Sequence, residues 1–423
     1  MPGRTISEKI LSRASGRDAR AGDLVICDVD CAMGTDGSVP MALDYFEQMG
    51  GTRLFDPRCI VFVFDHYLPD PLAPTFPLQA RARAFASRHG VTLYDCGEGV
   101  CHQLMVESGR TRPGGLLVGA DSHSVTGGAL NAFATGIGSS DLAATMMCGR
   151  IWLKVPETIT IVLTGTTPPG VYPKDIALAL AGRLGADGAA CQTLEFDGPG
   201  ASSLDVEDRL VLSNMSVEMG AKAGIFRADA KTAAYLAART NEAFAPVEPD
   251  ADAVYAREIH IDLAQLAPAI ARPHQVDFVF GVGEAVGTPI QMAFIGTCTG
   301  GRARDIRQAA AILFAAGRIA PGVRLVIAPA SREVETLLRQ DGTLGRLAAI
   351  GATLLPPGCG PCCGTAPPIP DDDANVISTA NRNFTARMGN ASASIFLASP
   401  AACAASAVTG RITDPREFGE TVP

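Results

Sequence analysis

Short, uniformly apolar runs alternate along this chain with longer stretches in helical spacing. CIVFVF (59–64), GGLLVGA (114–120), ETITIVLTG (157–165), QMAFIG (291–296), VRLVIA (323–328) and ATLLPPG (352–358) read as strands. RARDIRQAAAILFAAGRI (302–319) and SREVETLLRQDGTLGRLAAIG (331–351) repeat apolar residues three and four apart and read as helices. After residue 120 a polar loop, DSHS, leads into helical spacing that includes GIGSSD (136–141). Strand–helix alternation of this kind predicts an α/β fold with largely parallel sheets. The expected divisions are 1–156, 157–265 and 266–423, the middle one set off by the punctuation TTPPG and DGPG.

In such sheets ligands bind where loops leave the carboxyl ends of strands. Four polar loops fall there: DHYLP (65–69), DSHS (121–124), GTCTGGR (296–302) and GCGPCCG (358–364). Asp65-His66 and Asp121/His123 put a carboxylate beside an imidazole, which orients the ring and favours its charged form for proton transfer. His102, in GEGVCHQ, is a third candidate; His89, His260 and His274 read as surface or packing residues. Glu218 lies in the apolar stretch SNMSVEMGAKAGIF (213–226), where a carboxylate needs a partner such as a histidine. Arg382 and Arg387 of NRNFTAR (381–387) can each hold a carboxylate through paired hydrogen bonds, or form a solvated basic turn.

The 423 residues include 12 cysteines, which in a cytosolic-looking chain of this size do not read as a disulfide framework. Cys27, Cys31, Cys59, Cys148, Cys191 and Cys403 sit in apolar or helical surroundings and are expected as small buried residues. Cys298, Cys359, Cys362 and Cys363 lie in glycine-rich loops instead. The pair Cys359/Cys362 admits a thioredoxin-like redox site, a structural zinc site or, with Cys298, an iron–sulfur cluster. GTAPPIPDDD after the pair is a poor helix start, which disfavours the first reading. A zinc site wants four ligands, and no histidine is near. Three thiolates would leave one iron of a cubane open as a Lewis acid, with Cys363 a less favoured fourth ligand.

The net charge of −9 and the lack of a basic run weigh against nucleic-acid binding. No apolar run reaches the roughly 20 residues that span a bilayer, and the N-terminus has no signal-peptide core, so a cytoplasmic protein without a membrane partner is expected. GVGEAVG (281–287) is not the dinucleotide fingerprint, and no P-loop is present.

Taken in order, DHYLP, GEGVCHQ, VGADSHSVTGGALNAFATGIGSSD, LSNMSVEMGAKAGIF, IGTCTGGRARD, PPGCGPCCGT and STANRNFTAR resemble the aconitase superfamily. Within it they are most similar to the large subunits of the 3-isopropylmalate dehydratase and homoaconitase branch. The resemblance implies three α/β/α domains packed around a [4Fe–4S] cluster, with the family's swivelling domain absent. It implies Cys298, Cys359 and Cys362 as cluster ligands, and Asn214 and Asn381 as hydrogen-bonding neighbours of the cluster. It implies Asp65/His66 as the pair whose histidine protonates the leaving hydroxyl, with Asp121/His123 and His102/Glu218 as further catalytic pairs. Arg382, Arg387, Ser122 and Asp36 would contact substrate. A small partner subunit would supply a serine base. The implied activity is a hydro-lyase that interconverts 2- and 3-isopropylmalate in leucine biosynthesis. A homoaconitase, a dimethylmalate- or methylmalate-type dehydratase, and an RNA-binding regulator on the same scaffold are the alternatives. Two positions depart from the family pattern: Gly300 stands where relatives carry Asn, and Thr35 where they carry His or Gln.

Overall fold

The structure is a computed structural model and describes residues 3–67 and 70–419; Leu68 and Pro69 of the DHYLP loop lie outside the described residues. It comprises two compact units. The first contains Met1–Cys96, Cys101–Thr164 and Ala189–Ile261; the second contains Gly97–Val100, Gly165–Gly188 and Asp262–Pro423.

The first unit is built on a five-stranded sheet in the order Thr92–Tyr94, Ile60–Val63, Cys31–Thr35, Leu116–Gly119, Phe133–Gly136, parallel throughout. Its inner strands are buried at every position, as parallel strands covered on both faces must be. A second sheet runs Ala223–Phe226, Thr193–Asp197, Thr158–Thr164 and Arg257–Asp262, with the first three parallel. Leu24–Asp28 and Arg150–Lys154 form an antiparallel ribbon.

The helical spacing after residue 120 resolves differently from its reading. A 3₁₀ stretch, Ser122–Leu130, precedes the strand Phe133–Gly136, and only Ser139–Cys148 is helical before the strand Arg150–Lys154. GIGSSD therefore lies not within a helix but at a junction: Gly136 ends the strand and Gly138 caps the helix.

Near the chain start, Thr5 and Glu8 close a reciprocal capping box, and the helix Ile6–Ser15 buries Ile6, Ile10, Leu11 and Ala14 along one face. Glu195, on the strand Thr193–Asp197, accepts the Ser7 amide at 3.0 Å and the Ser7 hydroxyl at 3.2 Å with its Oε1. Its Oε2 meets no hydrogen-bond partner among the described residues. Burial pushes this carboxyl up to about 7, against the opposing pull of the Ser7 and Ile6 amides. Because the folded value lies above the unfolded one, the neutral form carries the stability, which is full below about pH 4.5 and lost as pH rises through about 7. The unfolding free energy of the wild type relative to Glu195→Gln should fall by about 3 kcal/mol across that window, read by urea melts at several pH values. A pH-independent difference would contradict the assignment.

The second unit holds a seven-stranded sheet: Val279–Gly281, Ala269–Ala271, Ser394–Leu397, Asn375–Ser378, Met292–Ile295, Arg324–Ile327, Thr353–Leu354. The last five are mutually parallel and the first two antiparallel. Helices Ala303–Ala316 and Pro400–Thr409 pack over it, with Ile306, Ile312, Leu313, Ala401 and Ala405 in one buried core with Ala293, Ile295 and Ile377. The segment 331–351 is two helices, Arg332–Gln340 and Thr343–Ala349, divided at Asp341-Gly342 because Gly342 takes φ +80°.

Candidate functional site

In the first unit, three adjacent parallel strands deliver one acidic residue each from their carboxyl ends. Asp36 follows Cys31–Thr35, Asp65 follows Ile60–Val63, and Asp121 follows Leu116–Gly119. His66 Nδ1 lies 2.7 Å from Asp65 Oδ1, and its Nε2 lies 3.7 Å from Asp121 Oδ2. The second oxygen of Asp65 accepts the Cys101 amide at 2.7 Å. Burial disfavours a charged His66, but the surrounding carboxylates of Asp65, Asp36 and Asp121 outweigh it and hold the imidazole well above its ordinary value. The site thus favours the charged form of His66, with its Nδ1 facing Asp65 Oδ1.

The other two histidines pair across the expected couples. His102 Nε2 is 2.8 Å from Asp121 Oδ1, and His123 Nε2 is 2.6 Å from Glu218 Oε1. Asp121 also accepts the His123 amide at 2.8 Å, and burial notwithstanding, His102 and His123 draw its carboxyl well below the usual range. Glu218, on the 3₁₀ turn Ser216–Met219, has the histidine partner its apolar surroundings demanded. His123 stands on a 3₁₀ turn two residues past Asp121, with its Nδ1 3.7 Å from Asp121 Oδ1 and its Nε2 on Glu218. Three imidazoles and three carboxylates therefore form three hydrogen-bonded couples, with His66 and His123 also 3.7 Å from Asp121, a cluster able to hold protons.

Asp36 is bonded into the turn that follows the strand Ile60–Val63. Its Oδ1 accepts the Asp65 and His66 amides at 3.3 and 3.1 Å; its Oδ2 accepts the Tyr67 amide and the Gln79 Nε2, both at 3.0 Å. It is buried and fixes the turn that carries His66. Gln79, which no local motif singles out, completes that clamp. Thr35, at the family departure, closes a tight turn by donating its amide to Ser38 Oγ at 2.9 Å. Asn214 donates to Thr126 Oγ1 at 2.8 Å, and Thr126 in turn to the His123 carbonyl at 2.6 Å, so this asparagine braces the histidine turn. Ser122 borders a cavity of about 900 Å³ lined also by Thr135, Asp141, Gln192 and Lys222.

In the second unit, the loops after Met292–Ile295, Thr353–Leu354 and Asn375–Ser378 all leave the carboxyl edge of the parallel part of the sheet. They carry Cys298, Cys359/Cys362 and Asn381 to Arg387 respectively. Asn381 Nδ2 donates to Cys298 Sγ at 3.3 Å, while its Oδ1 accepts from Cys362 Sγ at 3.8 Å, so one side-chain amide touches both sulfurs. Arg387 Nη2 lies 3.6 Å from Cys362 Sγ. Thr297, immediately before Cys298, sits at φ +71°, a strained conformation that marks a shaped site. Gly358 and Gly360 take positive φ around Cys359, which only glycine does at low cost. Cys363 Sγ is turned to Thr365 Oγ1 at 2.9 Å. Arg382 is half-buried.

At the other family departure, a Cβ on Gly300 would stand 2.3 Å from Thr379 Cβ, so the space a side chain would need is filled. Arg302, fully buried, donates to the Cys298 carbonyl at 2.6 Å; its place at the end of GTCTGGR was the available signal. Three soft thiols with an amide between two of them, on loops whose glycines leave backbone exposed, suit a sulfur-rich metal centre.

Elsewhere, Cys27, Cys31 and Cys403 are buried and Cys59 partly so, but Cys148 and Cys191 are exposed, contrary to expectation. Cys148 ends its helix and Cys191 sits in a turn at φ +60°, both outside the core their neighbours suggested. His89 stacks on Phe85, and His260 and His274 are exposed. Among the described residues, no helix is long and apolar enough to cross a membrane.

A match to the aconitase family (aconitate hydratase) spans residues 8–289 and 281–410. The chain is 45% identical over 417 residues to the 3-isopropylmalate dehydratase large subunit 1 of Methanopyrus kandleri, covering 98% of this chain and 100% of that one. It is also 45% identical over 419 residues to the large subunit 1 of the same name from Thermotoga maritima, with coverage of 98% and 100%. A probable methanogen homoaconitase large subunit of Methanosarcina mazei is 44% identical over 395 residues, 93% of this chain and 100% of that one. A solved structure, the holo-form of Thermococcus kodakaraensis aconitase X, aligns over 84% of each chain at 11% identity with a TM-score of 0.49.

Proposed function

The chain belongs to the aconitase family, and from that premise we propose that it is the large subunit of an iron–sulfur hydro-lyase converting 2-isopropylmalate to 3-isopropylmalate. The observation that carries the reading is the set Cys298, Cys359 and Cys362, presented on sheet-edge loops with Asn381 bonded to two of the sulfurs. These residues would hold a [4Fe–4S] cluster, which when bound supplies a Lewis-acidic iron for the substrate hydroxyl. The cationic His66 donates the proton that lets the hydroxyl leave as water, and Asp65 keeps that ring charged and aimed. His102–Asp121 and His123–Glu218 form two further imidazole–carboxylate couples that hold protons during dehydration and rehydration. Asp36 and Asn214 position these groups. Arg382 and Arg387 bind substrate carboxylates through paired hydrogen bonds. A small partner subunit supplies the serine base that removes the carbon-bound proton, and the pathway served is leucine biosynthesis.

The test is anaerobic reconstitution with iron and sulfide, addition of the small subunit, and a spectrophotometric assay for the unsaturated intermediate. Activity on 2-isopropylmalate is expected. A cluster-loaded, partner-saturated enzyme inert towards it would refute the assignment. Turnover of homocitrate instead would establish the homoaconitase reading, which the Methanosarcina mazei relative supports.

A further inference from the structure

Lys174 stands at the second position of the helix Pro173–Leu184, 1% exposed. Helix stability does not explain it there, because the positive end of the helix dipole disfavours a cation in the first turn. A buried ammonium is also costly unless its surroundings compensate its charge. Its Nζ donates to the Ala380 carbonyl at 2.7 Å and the Thr379 carbonyl at 3.1 Å, with Thr299 Oγ1 at 3.5 Å. Thr299 Oγ1 itself donates to the Thr379 carbonyl at 2.6 Å. The neighbouring carboxylate of Asp175 is engaged elsewhere, accepting the Tyr172 and Ala269 amides at 2.8 and 2.9 Å. Burial pushes that carboxyl up to about 7, against the pull of these two amides and of Lys174.

These acceptors lie within two residues of Cys298 or Asn381 in the chain. Thr299 follows Cys298, and Ala380 precedes Asn381, whose amide bonds Cys298 Sγ. We propose that Lys174 is a positioning residue for the iron–sulfur centre: its ammonium ties the Cys298 loop to the Asn381 loop and sets a buried positive charge behind the sulfur ligands. The inference rests on the cluster reading of Cys298, Cys359 and Cys362. The same charge should raise the centre's reduction potential and slow loss of its iron, since nearby charge is among the determinants of cluster potentials.

Wild type, Lys174→Met, Lys174→Gln and Lys174→Arg would be reconstituted anaerobically and compared by redox titration and by the rate of iron removal with a chelator. The metal-free chains would be compared by amide hydrogen exchange over residues 378–383. Lys174→Met and Lys174→Gln should show a more negative midpoint potential and at least tenfold faster iron removal. Exchange over 378–383 should be at least tenfold faster in their metal-free forms. Lys174→Arg should stay near wild type in both the potential and the iron-removal rate. If Lys174→Met does not fold, Lys174→Gln carries the comparison. Iron-loaded wild type and neutral variants with the same potential and iron-removal rate overturn the proposal, even where the variants melt at lower temperature. Wild type that takes up no iron instead sinks the cluster reading itself, an outcome distinguishable from the first.

Discussion

Replacing Cys362 with serine is expected to remove dehydratase activity by a factor of at least about 10², and to lower bound iron in the anaerobically assembled protein. Serine keeps the approximate shape of the side chain but replaces a soft thiolate with a hydroxyl that binds iron poorly at neutral pH. Cys362 is buried, shares Asn381 with Cys298, and lies against Arg387, so its sulfur has two polar neighbours arranged for it. The same substitution at Cys363 should leave iron content near wild type, because that sulfur is turned to Thr365. Parallel iron analyses of the two variants separate a ligand from a bystander. Equal iron retention by both would contradict the ligand assignment.

The second large effect is expected for Asp65→Asn. Among the influences that raise the His66 imidazole, the Asp65 carboxylate is the strongest. Asparagine preserves the shape and can still accept the Cys101 amide, but it removes the negative charge 2.7 Å from His66 Nδ1. For a proton donor, activity is present below the group's pKa and lost as pH rises through it. In wild type, where that value is held well above the ordinary histidine range, the rate should persist through neutrality and fall only on the alkaline side. In Asp65→Asn the alkaline limb should move to lower pH, with a rate loss of about 10²–10⁴-fold at neutral pH. An unmoved limb would mean that His66 is not the acid.

The strands and the loops at their ends were legible because parallel strands buried on both faces are apolar without interruption, and IVFV, LLVG and MAFI have no competing helical period. The strands Phe133–Gly136 and Arg150–Lys154 were not, since FATG is only four residues long and ends in glycine, and RIWLK alternates only over five residues beside a true helix. The break at Asp341-Gly342 was visible as a turn dipeptide but overridden by the apolar period on either side. The candidate side chains could be named one by one, because an acid beside a histidine or cysteines among glycines are local signals. Their partners could not. That His102 bonds Asp121 while His123 bonds Glu218 depends on where separate elements fold, and residue spacing does not encode it. The same holds for Lys174, distant in sequence from the Thr299 and Thr379–Ala380 segments it ties together.

Cys298, Cys359 and Cys362 are proposed to hold an iron–sulfur centre. Iron and acid-labile sulfide, measured together on protein purified and reconstituted without oxygen, test it most directly. Equal, near-stoichiometric amounts of both, with the brown colour of a cluster, are predicted for wild type. Protein that stays colourless, or that carries zinc without sulfide, would contradict it.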